Sequence, residues 1–223
     1  MLSQVIGDFL PSALGVALSP IPIIAVILML GTPRARSDGP AFAAGWMAGM
    51  IAVAAVVLVL TSSADTSSTA SDGVNWVQVG IGLLFFVLAA KQWKGRPAKG
   101  EVAEMPGWMQ AIDEVEPGRA FVLGAALSGL NPKNLALTLA ATATISQAGL
   151  STADSVVAVL VFVIIASITV VGSVVFYLVA EDKAKAPLAE IKEFMTEHNA
   201  VIMMVILVLL GAKLLGQGLG GLS

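Results

Sequence analysis

The 223-residue sequence has no cysteine and a single histidine, His198. Without thiols, disulfides, thiolate metal sites, iron–sulfur clusters and dithiol electron relays are all excluded. One imidazole and scattered methionines do not make a transition-metal cage, which gathers several such ligands, so neither a metal nor a cofactor is expected. Charge is scarce as well. Only 12% of the residues are Asp, Glu, Lys or Arg, about half the share of a soluble globular domain. The net charge of -3 is small, and nucleic acid is not expected as a partner. Neither G-x-x-x-x-G-K-[ST] nor G-x-G-x-x-G occurs, so nothing points to nucleotide hydrolysis or dinucleotide binding.

What the sequence has instead is apolar surface. Hydrophobic residues make up 57% of the chain and the mean hydropathy is +0.90. Too few polar side chains remain to cover a water-soluble molecule, and the solvent that suits such a chain is lipid. A helix crosses the hydrocarbon layer with roughly 20 apolar residues, and six stretches qualify. Residues 9–33, 39–64 and 73–90 carry no charge; residues 120–153 are interrupted by Lys133, residues 155–180 are uncharged, and residues 199–216 hold only Lys213. A signal peptide fits the first stretch less well, because the preceding residues contain Asp8 and no base.

Basic residues set the orientation, since Lys and Arg are retained in cytoplasmic loops. Arg34, Arg36, Lys91, Lys94, Arg96, Lys99, Arg119, Lys183, Lys185 and Lys192 all fall on one side of a six-span arrangement, whereas residues 62–72 and 146–154 contain no base. Both termini are therefore expected outside a plasma membrane.

The string Leu14-Gly15-Val16-Ala17-Leu18-Ser19 returns as Leu123-Gly124-Ala125-Ala126-Leu127-Ser128, five identities in six at an offset of 109. Each copy lies in the first span of a set of three. Because three is odd, the second set enters the membrane from the opposite side, which is an inverted-topology repeat of the kind found in secondary transporters. The expected fold is an all-α integral membrane protein of six transmembrane helices. Residues 1–95 form the first three-helix repeat, 96–117 a cytoplasmic connector with a short interfacial helix, and 118–223 the second repeat.

Spans one and four are expected to be broken. Ser19-Pro20-Ile21-Pro22 and Asn131-Pro132 each place a capping residue before proline, a combination that stops one helix and starts the next. Ordinary kinks satisfied by neighbouring helices are the alternative. Lys133 follows directly, about fourteen residues or ~21 Å into its span, and a lone ammonium at that depth costs at least ~2.5 to 3.5 kcal/mol. No acidic residue lies within the spans to neutralise it. It is then uncharged, or it meets an anion in a hydrated cavity, or it bonds carbonyls freed by the breaks at Pro20 and Pro22.

Secondary features are read as packing and surface elements. Ala41, Gly45 and Gly49 form a small-residue stripe, as do Gly216 and Gly220, suited to close helix packing or to a homodimer. Residues 106–115 put Trp108, Met109, Ile112 and Val115 on one helical face and Gln110, Asp113 and Glu114 on the other, an amphipathic surface helix or a lid. Residues 186–196, with Leu188, Ile191 and Met195, form an interfacial lead-in to span six.

Ala17-Leu18-Ser19-Pro20-Ile21-Pro22-Ile23-Ile24-Ala25, Gly39-Pro40 with Gly45-Trp46, Pro106 with Trp108-Met109, and Asn131-Pro132-Lys133-Asn134-Leu135 together resemble the actinobacterial GAP family of glycopeptidolipid-addressing and sulfolipid-addressing proteins, grouped with the lysine-exporter (LysE) superfamily. The resemblance spans the chain. It implies a plasma-membrane protein that moves a glycolipid or related envelope lipid to the cell surface. The superfamily's amino-acid exporters usually carry a Pro-Gly-Pro-type string where this chain has Ser19-Pro20-Ile21-Pro22.

The functional expectation is a secondary transporter for a glycolipid or related amphipathic lipid. Its binding residues are Ser19, Pro20 and Pro22 from one break and Asn131, Pro132, Lys133 and Asn134 from the other. Half-helix N-termini and Lys133 would receive an anionic headgroup. One alternative is a LysE-type exporter of amino acids or small cations, which would call for acidic residues in the spans. Another is a non-transporting scaffold for envelope-lipid synthesis or export proteins, using the loop at 91–119. Enzyme activity is not expected, since the spans hold no His, Cys or carboxylate cluster.

Overall fold

The computed structural model describes residues 1–63, 76–96 and 115–219, and among these every regular element is an α-helix. In chain order they are α1 (Leu2–Ala17), α2 (Pro20–Leu30), α3 (Ala35–Ser63), α4 (Trp76–Lys94), α5 (Pro117–Gly129), α6 (Pro132–Gln147), α7 (Thr152–Ala166), α8 (Ile168–Val179) and α9 (Glu181–Leu219). The expected surface helix at 106–115, apart from Val115, the loop at 62–72 apart from its first two residues, and Gly220 lie outside the described residues.

Two continuous helical stretches are long and apolar enough to cross a membrane, Ala35–Thr61 and Glu181–Gly216. Two further pairs pass the same test jointly: α1 with α2, bent by 51°, and α7 with α8, bent by 62°. The expected number of spans was six, and length and composition support up to four among the described residues. Of the other two expected spans, 73–90 begins outside the described residues, which resume with the 19-residue α4, and α5 with α6 carries Lys133, Asn134 and a series of threonines.

Boundaries also differ from the reading of uncharged runs. Helix α1 begins at Leu2 rather than near Phe9, so the acidic N-terminal segment is helical. Helix α3 begins at Ala35 and takes Asp38 into its first turn, where the positive end of the helix dipole favours an acid. The segment expected as a separate lead-in to span six is the first part of one 39-residue helix, α9. At ~58 Å that helix is longer than the hydrocarbon core is thick. Leu188 on its early part is 4% exposed, whereas Ile191 is 41% exposed.

The helices group into two compact units, and each unit draws on both halves of the chain. Met1–Ser63 joins Glu104–Thr196, and Ala64–Ala103 joins Glu197–Ser223. In the first unit the most extensive contact is α3 against α5. Glycine makes it possible. A Cβ at Gly45 would overlap the Phe121 carbonyl, one at Gly124 the Phe42 carbonyl, and one at Gly49 the Ser128 hydroxyl. Gly45 and Gly49 are thus used for close packing within the chain, bringing the backbones of α3 and α5 together. Gly216, from the other small-residue stripe, faces open space.

Helix α1 packs on α6 and α7, and α2 on α3 and α8. Phe9 of α1 meets Phe162 of α7 edge to face, with ring centroids 5.8 Å apart, an arrangement aromatic quadrupoles favour. In the second unit α4 meets the later part of α9 where Gly82 and Gly211 face each other's backbones.

Candidate functional site

The site begins with what proline does to the end of α1. Pro20 and Pro22 have no N–H, so the carbonyls of Val16 and Leu18 lose their normal partners four residues on. The Ser19 amide turns to the Val16 carbonyl, 3.1 Å away, in the tighter i to i+3 pattern. That leaves the Gly15 carbonyl without its helical donor. Lys133 supplies one: its Nζ donates to Gly15 O at 2.8 Å. A second side chain arrives from α8, where Thr169 Oγ1 donates to Ala17 O at 2.6 Å.

The other break is built as expected from Asn131-Pro132. Asn131 is the N-cap of α6 and its side chain accepts from the Lys133 amide at 3.1 Å, with Pro132 in the first turn. Asn134 then links the two breaks. Its Oδ1 accepts from Ser19 Oγ at 2.7 Å, and its Nδ2 donates to Leu127 O at 3.0 Å. Leu127 and Ser19 belong to the two copies of the repeated string, so one side chain ties the repeats together.

Burial separates the expected site residues. Asn134 is fully buried, Ser19 is 3% exposed and Lys133 is 7% exposed. Pro20 and Pro22 are buried beside them, whereas Asn131 is half-buried and Pro132 is exposed. The structure therefore brings Ser19, Lys133 and Asn134 into one junction with the backbone of α1, while Asn131 and Pro132 shape the helix start from its rim.

The geometry also explains how an ammonium is tolerated there. Its own half-helix presents a positive N-terminal end, which disfavours the charge. The C-terminal carbonyls of α1 present the opposite end, and Lys133 is bonded to one of them. The conformation displays the bond to a freed carbonyl, which an ammonium and a neutral amine can both donate.

Several contributors were not singled out from sequence. Thr138 and Thr142 continue the buried face of α6 below Asn134, each hydroxyl donating to the carbonyl four residues back at 2.9 and 2.8 Å. Their spacing of four from Asn134 was a visible signal. Ser167, at the break between α7 and α8, was less visible. That break contains neither proline nor glycine; the Ser167 amide is shared between Val163 O and Ile164 O, and its hydroxyl is buried without a partner among the described residues.

Apolar helices able to cross a membrane, interrupted at points where buried polar side chains close the broken backbone, define a helical membrane protein organised around broken spans. The chain belongs to the family described as Sap, sulfolipid-1-addressing protein, whose model matches residues 9–220. That range includes both proline breaks and Lys133. No curated protein matches the chain, and no solved structure does.

Proposed function

We propose that the protein is a plasma-membrane secondary transporter that moves an anionic glycolipid, or a related amphipathic envelope lipid, to the cell surface. The observation that carries this reading is the junction itself, where Ser19 meets Asn134 and Lys133 meets Gly15. Polar groups that satisfy one another across two half-helices form a seal. When the halves part, the same groups become a receptor: an ammonium, a hydroxyl, an amide and the N–H groups of a helix start converge on an anionic headgroup. The family's description as sulfolipid-1-addressing supports a sulfated lipid as cargo. Six spans in two inverted repeats, with both termini outside, would let the halves rock about this junction.

The bilayer and the lipid are its partners, without a nucleotide or metal cofactor and without enzyme activity. The amino-acid or cation exporter reading has no acidic residue in the junction to support it. A deletion strain is expected to keep its total envelope lipid and lose the surface-extractable share of one anionic species, restored by the unmutated gene. Unchanged surface lipid would remove the lipid-export reading.

A further inference from the structure

A cavity of about 290 Å³ lies between the end of α2, the end of α8 and the first part of α9. Its lining has two chemical faces. Ile27, Leu30 and Leu188 are apolar, and Tyr177, Lys185 and Lys192 are polar. Lys185, Leu188 and Lys192 follow at i, i+3 and i+7, so a single face of α9 presents both ammoniums with an apolar side chain between them.

The neighbouring groups engage Lys185 in part and leave Lys192 available. At the end of α2, Leu28 O is occupied by the Gly31 amide, and Met29 O by the Thr32 amide and hydroxyl. Glu181 is shared by Arg36 at 3.0 Å, Lys185 at 3.4 Å and the Tyr177 hydroxyl. Asp182, fully exposed, is 3.5 Å from Lys185. Lys192 has no ion-pair partner among the described residues. Arg36, Lys185 and Lys192 against Glu181 and Asp182 leave one net positive charge, at Lys192, beside an apolar wall.

We infer that this cavity binds the anionic headgroup of a membrane lipid on the basic side of the protein, with the start of an acyl chain along Ile27, Leu30 and Leu188. The volume is at the small end of ligand pockets, enough for a sulfate or phosphate ester and adjoining carbons but not for a whole two-chain glycolipid. The remaining chain would stay in the bilayer. The inference extends the proposed function and rests on it for treating the bound lipid as cargo awaiting entry.

The single tyrosine of the chain, Tyr177, provides the test. Protein labelled with 3-fluorotyrosine gives one ¹⁹F resonance from the cavity wall. In dodecylmaltoside micelles, phosphatidylglycerol should shift that line saturably, while phosphatidylcholine and sodium sulfate should not. Lys192→Gln should weaken the response, and Lys185→Gln with Lys192→Gln should raise the half-saturating lipid at least ~tenfold, as expected for losing charge-assisted contacts. The unliganded line of each variant shows whether the cavity is intact. No shift, an equal shift with phosphatidylcholine, an equal shift with sulfate alone, or an undiminished shift in a double variant with an intact line would overturn the lipid site. Because the readout is binding, its failure is separable from a failure to transport.

Discussion

Lys133→Met is expected to accumulate near the unmutated level while transport per inserted molecule falls roughly tenfold to a hundredfold. Two opposing energies set the first part. The substitution removes the insertion penalty of an ammonium, ~2.5 to 3.5 kcal/mol, and orphans the Gly15 carbonyl, at a cost of ~1 to 3 kcal/mol. These nearly offset, so the apolar stem that Met retains should keep the junction packed. The second part follows from losing a hydrogen bond to a charged group, worth ~1.5 to 3 kcal/mol, at about 1.4 kcal/mol per tenfold in rate. Lys133→Arg keeps the charge but forces a larger planar group into a site only 7% exposed and should accumulate less well. Quantified membrane protein alongside lipid flux checks both. If the Met variant accumulates normally and transports at the original rate, Lys133 serves only the α1 terminus.

The second large effect is expected at Asn134, which is fully buried and bonded to both Ser19 and Leu127. Asn134→Leu keeps the volume and removes both partners. Leaving a hydroxyl and a carbonyl unpaired should destabilise the protein by about 2 to 4 kcal/mol, visible as a lowered melting temperature in detergent. Ser19→Ala removes one bond and should cost less. In the double variant the two losses should be less than additive, because the residues share a bond. Full additivity would mean that the Ser19 to Asn134 link carries no energy.

Which parts of this junction the sequence disclosed follows from the range of the forces involved. The breaks at Ser19-Pro20 and Asn131-Pro132 were legible because a missing N–H acts on its own helix, and the capping role of Asn131 is equally local. The exceptional position of Lys133 was legible from its charge in an apolar run. Its partner was not, since Gly15 O becomes free only after the Ser19 amide turns to Val16 O and is reached by a residue 118 positions away. The break at Ser167 was hidden for a similar reason. Nothing in Ala166-Ser167-Ile168-Thr169 forbids a continuous helix, and a contact with α1, Thr169 to Ala17, accompanies the bend. Sequence periodicity likewise assigned Leu188 and Ile191 to one surface face, whereas in the structure the first is buried at the cavity wall and the second is exposed.

The proposed function requires that this chain itself carry an anionic lipid across a bilayer. The most direct measurement uses purified protein in phosphatidylcholine vesicles containing a trace of a fluorescent sulfated glycolipid, with dithionite added outside to bleach the accessible leaflet. Without ATP, with or without an imposed proton gradient, the protein should make the inner-leaflet lipid bleachable, and Lys133→Met should slow that phase. Bleaching that stops at the outer-leaflet share under both conditions, as in protein-free vesicles, would contradict the account and leave the chain an accessory to another transporter.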